Sequence, residues 1–376
     1  VLLTTGGVSG IYRPSNPGTA RKKTWYCPYS AGTGLTMGLR AGAEMTSFEA
    51  RYVALRTKDL IAPTGTMARG ASIRQFNARG EPYLDNVSRL LGRALTTPER
   101  LYYEREEHRN GRGPCMMDLR LLSEEQYNEL VRNYLDMCPG LVLQLLENPS
   151  QPRRRIEVSG SEPYINGGHG MAGFWVTASR ETTVKNLYAA GDIAGGSPKK
   201  YITGCFAEAE MAIDHFAEAL PPRAKPETWE PAHLFRALHR EQGLPYTDLE
   251  ERLQKITDEY VGGYSMNYGT NKEKLFLAEE MLNVLSREGN AAKATDLHEL
   301  MRVHEVQDRI LLAQVLVAHM QKRKETRWPV YQTRLDYPLR NDVEYNLFVN
   351  SRLEGDRIRT FGRRVAAPFE NTPLPD

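Results

Sequence analysis

Eleven residues, "NLYAAGDIAGG" from Asn186 to Gly196, limit the possible folds more than any other stretch of this chain. A turn leads into the apolar piece Leu187 to Ala190, which is strand-length and stops at Gly191-Asp192. In open α/β sheets, ligands bind at the carboxyl ends of such strands. Upstream, "YINGGHGMAGFWV" sets His169 among glycines 167, 168 and 170, a polar ring held on bare backbone. Downstream, "TGCFAEAEMAIDHFAEAL" from Thr203 has helical spacing of Phe206, Ala209, Ile213 and Phe216, and a helix N-terminus at Thr203-Gly204 would suit an anion. Strand, glycine loop and helix predict an α/β protein, α+β overall.

The opening "VLLTTGGVSGIY" predicts a second buried strand, Val1 to Thr5, breaking at Gly6-Gly7. Folded domains seldom begin in mid-strand, and no G-x-G-x-x-G phosphate turn follows this one. The expectation is therefore an incomplete Rossmann-like domain whose N-terminal half lies outside the chain. A helix near Thr33 to Ala43 continues it. The 376 residues then suggest an inserted capping subdomain, a return to the first domain and a helical domain, with boundaries at 1–50, 51–155, 156–220, 221–350 and a tail over 351–376. The insert begins with a basic, irregular stretch holding Arg51, Arg56, Arg69, Arg74 and Arg79, and it goes on to helices near Pro98 to Asn110 and Ser123 to Leu135. Pro221, Pro222, Pro226 and Pro231 mark a linker before helical segments near Pro245 to Tyr260, Lys272 to Arg287 and Ala291 to Lys324.

Charge excludes some partners. With 49 basic and 47 acidic residues the formal net charge is +2, which gives no global attraction to nucleic acid or anionic membrane. The sequence shows no membrane span and no signal peptide, and a reducing cytoplasm is the expected compartment. Cys27, Cys115, Cys138 and Cys205 lie far apart with no C-x-x-C pair, so neither a disulfide framework nor a cysteine-ligated metal cluster is indicated. If electrons move through this protein, a metal centre would sit on another chain.

Five motifs occur in an order that resembles the fumarate reductase and succinate dehydrogenase flavoprotein superfamily. They are "TTGG", "GRGPCMMD", "EPYINGGH", "LYAAGDIAGG" and "ETRWPVYQTRLDYP". Within that superfamily the details are similar to the α subunit of dissimilatory adenylylsulfate reductase. Dicarboxylate enzymes of the superfamily grip a carboxylate with a histidine before their Gly-Gly pair and an arginine after the Gly-acid motif. Here those places match Pro163 and a position near Tyr201, whereas His169 follows the glycines and Lys199-Lys200 fills the later loop, as the adenylylsulfate branch resembles. "FEARYVALRTKD" resembles the segment bearing a substrate-facing arginine, which maps onto Arg56; the following "LIAPTGTMA" departs from the family pattern.

The resemblance implies FAD as cofactor and interconversion of adenylylsulfate with AMP and sulfite through a flavin N5-sulfite adduct. The alternatives are a fumarate reductase-like oxidoreductase on another substrate, or an inactive flavoprotein. Arg56 and His169 are the implied catalytic pair, converging on sulfo oxygens. Gly6, Gly7, Gly167, Gly168, Gly191, Asp192, Thr203 and Gly204 are the implied cofactor-binding residues. The implied partner is a ferredoxin-like iron-sulfur β subunit with 4Fe-4S clusters, with an indirect membrane electron donor beyond it. Arg327, Arg334 and Asp336 are expected to anchor the C-terminal segment by ion pairs, and Trp25 and Trp175 to flank the site or fill core.

Overall fold

The computed structural model describes residues 1–14, 24–58, 62–65, 73–147, 149–151, 153–218 and 231–365. The proline-marked linker over 221–230, Arg69 and the last residues 366–376 lie outside the described residues. The fold mixes helix and sheet, as the sequence implies.

Leu2–Leu3 lies parallel to Tyr188–Ala189, with Leu2 opposite Tyr188 and Leu3 opposite Ala189. Parallel strands cannot be joined by a tight turn, so the whole inserted region is accommodated between them. Val8 bridges both Ala31 and Ile165 just beyond the first strand. The helix Thr33–Arg40 then buries Gly34, Leu35, Gly38 and Leu39. A Cβ on Gly38 would stand 2.2 Å from the Phe174 ring, so this glycine lets the helix lie directly on that side chain.

The insert builds its own antiparallel sheet, in the order Leu55–Thr57, Arg155–Gly160, Cys115–Asp118, Gln75–Phe76. Its strand Arg155–Gly160 pairs on both sides, so this sheet continues to Gly160, past the boundary expected at 155. The helix Thr97–Arg109 starts in a capping box of Thr96 and Glu99 and packs on the sheet. The box expected at Ser123 and Gln126 opens the helix Glu124–Met137.

Three helices, Tyr246–Tyr260, Lys272–Asn290 and Leu297–Lys322, form the C-terminal layer. The last begins at Leu297 rather than near Ala291, because the Asp296 side chain accepts from Glu299 N and fixes the start there. Its buried face shares one apolar core with Val8, Leu35, Leu39, Phe48 and Phe174, so the helical layer is continuous with the first domain. Instead of an irregular tail from 351, the strands Leu347–Glu354 and Arg357–Arg364 make a hairpin whose Asn350 and Ser351 pair with Thr46 and Met45. Among the described residues no helix is long and apolar enough to cross a membrane.

Candidate active site

Two loops interlock beneath His169. Gly167 N donates to Asp192 O at 2.8 Å, and Lys200 N donates to Gly168 O at 3.0 Å. A Cβ on Gly167 would fall 1.7 Å from Ala194 O, and one on Gly168 would fall 1.6 Å from Asp192 Oδ1. These two glycines therefore allow loop to pack on loop. Gly7 behaves likewise, since its Cβ would meet Ile165 O at 2.4 Å. Gly6 and Gly196, at φ of +77° and +81°, instead have no atom within 4 Å of an added Cβ and leave bare backbone open to a ligand. The letters Gly168 to Gly173 happen to spell G-x-G-x-x-G, yet they lead into the strand Gly173–Phe174 and not a helix, so they are no dinucleotide turn.

The 191–196 loop is held from behind. Lys200 is buried and donates to Gly191 O at 2.8 Å, Ala194 O at 2.6 Å and Glu208 Oε2 at 3.0 Å. Glu208 also accepts from Gly191 N at 2.8 Å and pairs with Arg180 at 2.9 Å. Burial lowers the Lys200 pKa while Glu208 opposes that shift. Lys200 is thus a brace for the loop, while Lys199 beside it is exposed. Glu208 was missed in the sequence because a carboxylate in mid-helix has no motif of its own.

The helix behind this loop runs Tyr201–Glu218, two residues ahead of the predicted start, so Thr203 and Gly204 sit within its first turn. Gly204 N already donates to Lys200 O at 2.7 Å. The ring of Tyr201, the first helical residue, meets His169 edge-on at 5.0 Å, so the N-terminal end of the helix opens beside the histidine. Phe206 and Ile213, part of the apolar spacing that marks this helix, are exposed.

His169 is half-buried in a box of tyrosines. Its Nδ1 is 3.1 Å from Tyr26 Oη, and its ring lies 4.9 Å from that of Tyr52. Tyr26 stacks on Tyr164 at 3.5 Å, and Tyr52 meets Tyr331 edge-on at 5.6 Å. Burial lowers the His169 pKa, against the pull of Asp192, and so favours the neutral ring. Burial also pushes Tyr52 up to about 12 and keeps these phenols protonated. The Tyr331 hydroxyl is buried without a hydrogen-bond partner. These tyrosines come from four separate segments, which is why no local pattern announced them.

Arg56 is fully buried, and Nη1 donates to Thr57 O at 3.0 Å and Lys58 O at 3.1 Å. The ring neighbours of His169 among the described residues are Tyr26, Tyr52 and Tyr201, while Arg56 bonds to backbone carbonyls of its own segment, so no direct contact joins the implied pair among the described residues. Burial lowers the guanidinium pKa, and Glu162 is the first charge opposing it. Glu162 itself was missed: Oε1 accepts from Trp25 N at 2.5 Å, Oε2 is buried with no partner, and burial raises its pKa to about 7. Trp175 lies elsewhere, against Phe348 and Arg363.

Open backbone at Gly6 and Gly196 and a helix start beside His169 are compatible with an extended, partly anionic cofactor. Residues 1–205 match the FAD binding domain family. The chain belongs to that family. It is 28% identical to the adenylylsulfate reductase subunit alpha of Megalodesulfovibrio gigas over 96% of this chain and 64% of the relative. It also superposes on adenylylsulfate reductase from Archaeoglobus fulgidus with a TM-score of 0.88, 31% identity and coverage of 99% of this chain and 67% of that one. A solved adenosine-5-phosphosulfate reductase in complex with sulfite, as a covalent adduct, gives a TM-score of 0.87 at 31% identity with the same coverage. The chain therefore spans about two thirds of the length of these relatives.

Proposed function

We propose that this chain is the flavoprotein part of an adenylylsulfate reductase, an FAD-dependent oxidoreductase that interconverts adenylylsulfate with AMP and sulfite. The observation that carries this reading is the half-buried His169 in its tyrosine box, in a chain that is 31% identical along nearly its whole length to a reductase solved with bound sulfite. The resemblance puts Pro163 where dicarboxylate enzymes hold their histidine, and a proline cannot pair with a carboxylate.

Gly6, Gly196, Gly191, Asp192 and the first turn with Thr203 and Gly204 would hold FAD, while Gly7, Gly167 and Gly168 keep the supporting loops in contact. Bound FAD would supply a two-electron carrier whose reduced ring is nucleophilic toward sulfur. His169, neutral and oriented by Tyr26, presents one ring nitrogen to sulfo oxygens without adding a charge that free sulfate could exploit. Arg56, fully buried, would supply the cation that the resemblance assigns to the sulfo group. Glu162, with a pKa near neutrality, holds or releases a proton at Oε2 beside Arg56. The tyrosines exclude water, which strengthens each of these interactions. Electrons would pass to or from a ferredoxin-like iron-sulfur β subunit with 4Fe-4S clusters, in the cytoplasm; the curated relative's designation as subunit alpha supports a partner chain.

The test is sulfite titration of the flavin absorbance in the FAD-loaded protein, with His169→Ala and fumarate run in parallel. Bleaching that AMP strengthens and the substitution weakens is the expected result. A flavin that ignores sulfite and is reoxidised by fumarate would overturn the proposal in favour of a dicarboxylate enzyme.

A further inference from the structure

The helix Thr97–Arg109 carries Glu104 and His108 one turn apart, on the face turned toward the cap's sheet. Opposite them, the strand Cys115–Asp118 begins with a buried cysteine. A Glu104 carboxylate oxygen, a ring nitrogen of His108 and Cys115 Sγ all lie within 4.8 Å of one another. Glu104 is 0% exposed, and neither of its oxygens accepts a hydrogen bond. His108 Nε2 is 3.0 Å from Glu104 Oε1, yet it also lacks an aligned hydrogen-bond partner. Arg56 is within electrostatic reach of the carboxylate, which offsets part of its charge without filling its lone pairs.

The surroundings keep the three groups together. A Cβ on Gly113 would stand 2.5 Å from His108 Nδ1, so the turn before Cys115 leaves room for the ring. Tyr83 borders the thiol, and its hydroxyl donates to Gln75 Oε1 at 2.9 Å. Burial pushes the Cys115 thiol up to about 12, and the neighbouring Glu104 adds to the shift. A fully buried carboxylate whose oxygens accept no hydrogen bond is costly unless a cation meets it, and His108 and Cys115 stand where further ligands to that cation would be.

We propose that Glu104, His108 and Cys115 bind one zinc-class divalent cation that ties the cap's helix to its sheet. One oxygen, one nitrogen and one sulfur ligand suit borderline-soft Zn²⁺, whereas magnesium and calcium take oxygen ligands. The 3.0 Å spacing of oxygen and nitrogen fits two ligands that each bind a metal at about 2.0 to 2.2 Å. Three protein ligands leave a fourth position for water. Binding releases the thiol proton, so affinity rises with pH.

The experiment is titration of the chelator-treated full chain with Co²⁺ alone, followed by displacement with Zn²⁺. The expected result is one Co²⁺ per chain with a thiolate-to-metal charge-transfer band, lost on adding one equivalent of Zn²⁺. Cys115→Ser abolishes the band, and Glu104→Gln or His108→Gln weakens Zn²⁺ binding by at least about ten-fold. Absence of the band in the folded wild-type chain, or its persistence in Cys115→Ser, would overturn the proposal. If Cys115→Ser does not fold, a chain with Cys27, Cys138 and Cys205 all changed to Ser decides the matter: it keeps the band if Cys115 is the ligand and loses it otherwise.

Discussion

Two buried polar regions of this protein are built on opposite terms. Around the C-terminal hairpin, Arg323 donates to Glu49 at 2.7 Å, Glu325 at 2.6 Å, Tyr345 O at 3.0 Å and Leu347 O at 2.7 Å. Glu325 takes further bonds from Arg327 Nε at 2.6 Å and Asn341 N at 2.8 Å, and Arg334 pairs with Asp336 at 2.7 Å. Glu44 fastens the hairpin to the first domain by pairing with Arg352 and Arg363. Around His169, by contrast, Glu162 keeps an empty oxygen and Tyr331 an unpartnered hydroxyl. Burying a polar group costs free energy unless its bonds are replaced, so the densely bonded network around Arg323 is a structural anchor, although Asn350 Oδ1 beside Glu44 is left unfilled there, while the unfilled groups near the tyrosines leave valence that a ligand could take up.

The largest effect that would break this contrast is expected in the anchor. Arg323→Ala leaves Glu49 and Glu325 buried without their shared cation and should cost about 3–5 kcal/mol in urea unfolding. A loss below about 1 kcal/mol would show that the anchor's charges are not acting as one network.

The second prediction separates the regions by pH. Glu49 is raised by burial, but Arg323 and His319 outweigh this and hold its pKa below the usual carboxylate value. Its contribution is therefore present above the unfolded pKa and lost as pH falls through the folded one. Glu162 has the opposite sign: with its pKa raised from 4.5 to about 7, its contribution is complete below pH 4.5 and lost as pH rises through about 7. Glu162→Gln should remove that loss, up to about 3 kcal/mol for such a shift, and flatten the thermal midpoint between pH 4.5 and 7. An unchanged pH profile would mean that the carboxylate is already compensated.

The next effect falls on the brace between the two loops. Lys200→Met removes three donated bonds and leaves Glu208 facing Gly191 and Arg180 alone. FAD affinity, read by flavin fluorescence, should fall by roughly one to two orders of magnitude, the worth of a lost charged hydrogen bond. Unaltered affinity would detach the 191–196 loop from cofactor binding.

The smallest expected change is the most diagnostic of an open site. Tyr331→Phe deletes a hydroxyl that makes no hydrogen bond, so stability should stay the same or rise by up to about 1 kcal/mol, while sulfite affinity falls. Destabilisation with normal sulfite affinity would place Tyr331 in the scaffold.

Much of this was local and therefore legible. The strand ending at Gly191-Asp192, the capping box at Ser123 and the helices of the C-terminal layer follow from periodicity and caps that neighbouring residues create together. Ordered motifs likewise pointed to FAD. What the glycines are for was not legible: Gly167 and Gly168 answer to Ala194 and Asp192, more than twenty residues on, and only the folded loops show the contact. The exposed Phe206 and Ile213 mark the same limit, because apolar spacing identifies a helix face without saying what covers it.

Sequence alone thus determined the element types, the α/β class and the family, since these rest on short-range spacing and on motif order. The tertiary structure alone decided which buried polar groups are satisfied. Arg323 finds its acids 274 positions before it and two after it, whereas Glu162 and Glu104 find too few donors. Hydrogen-bond valence is a property of positions in space, and chain order does not record it.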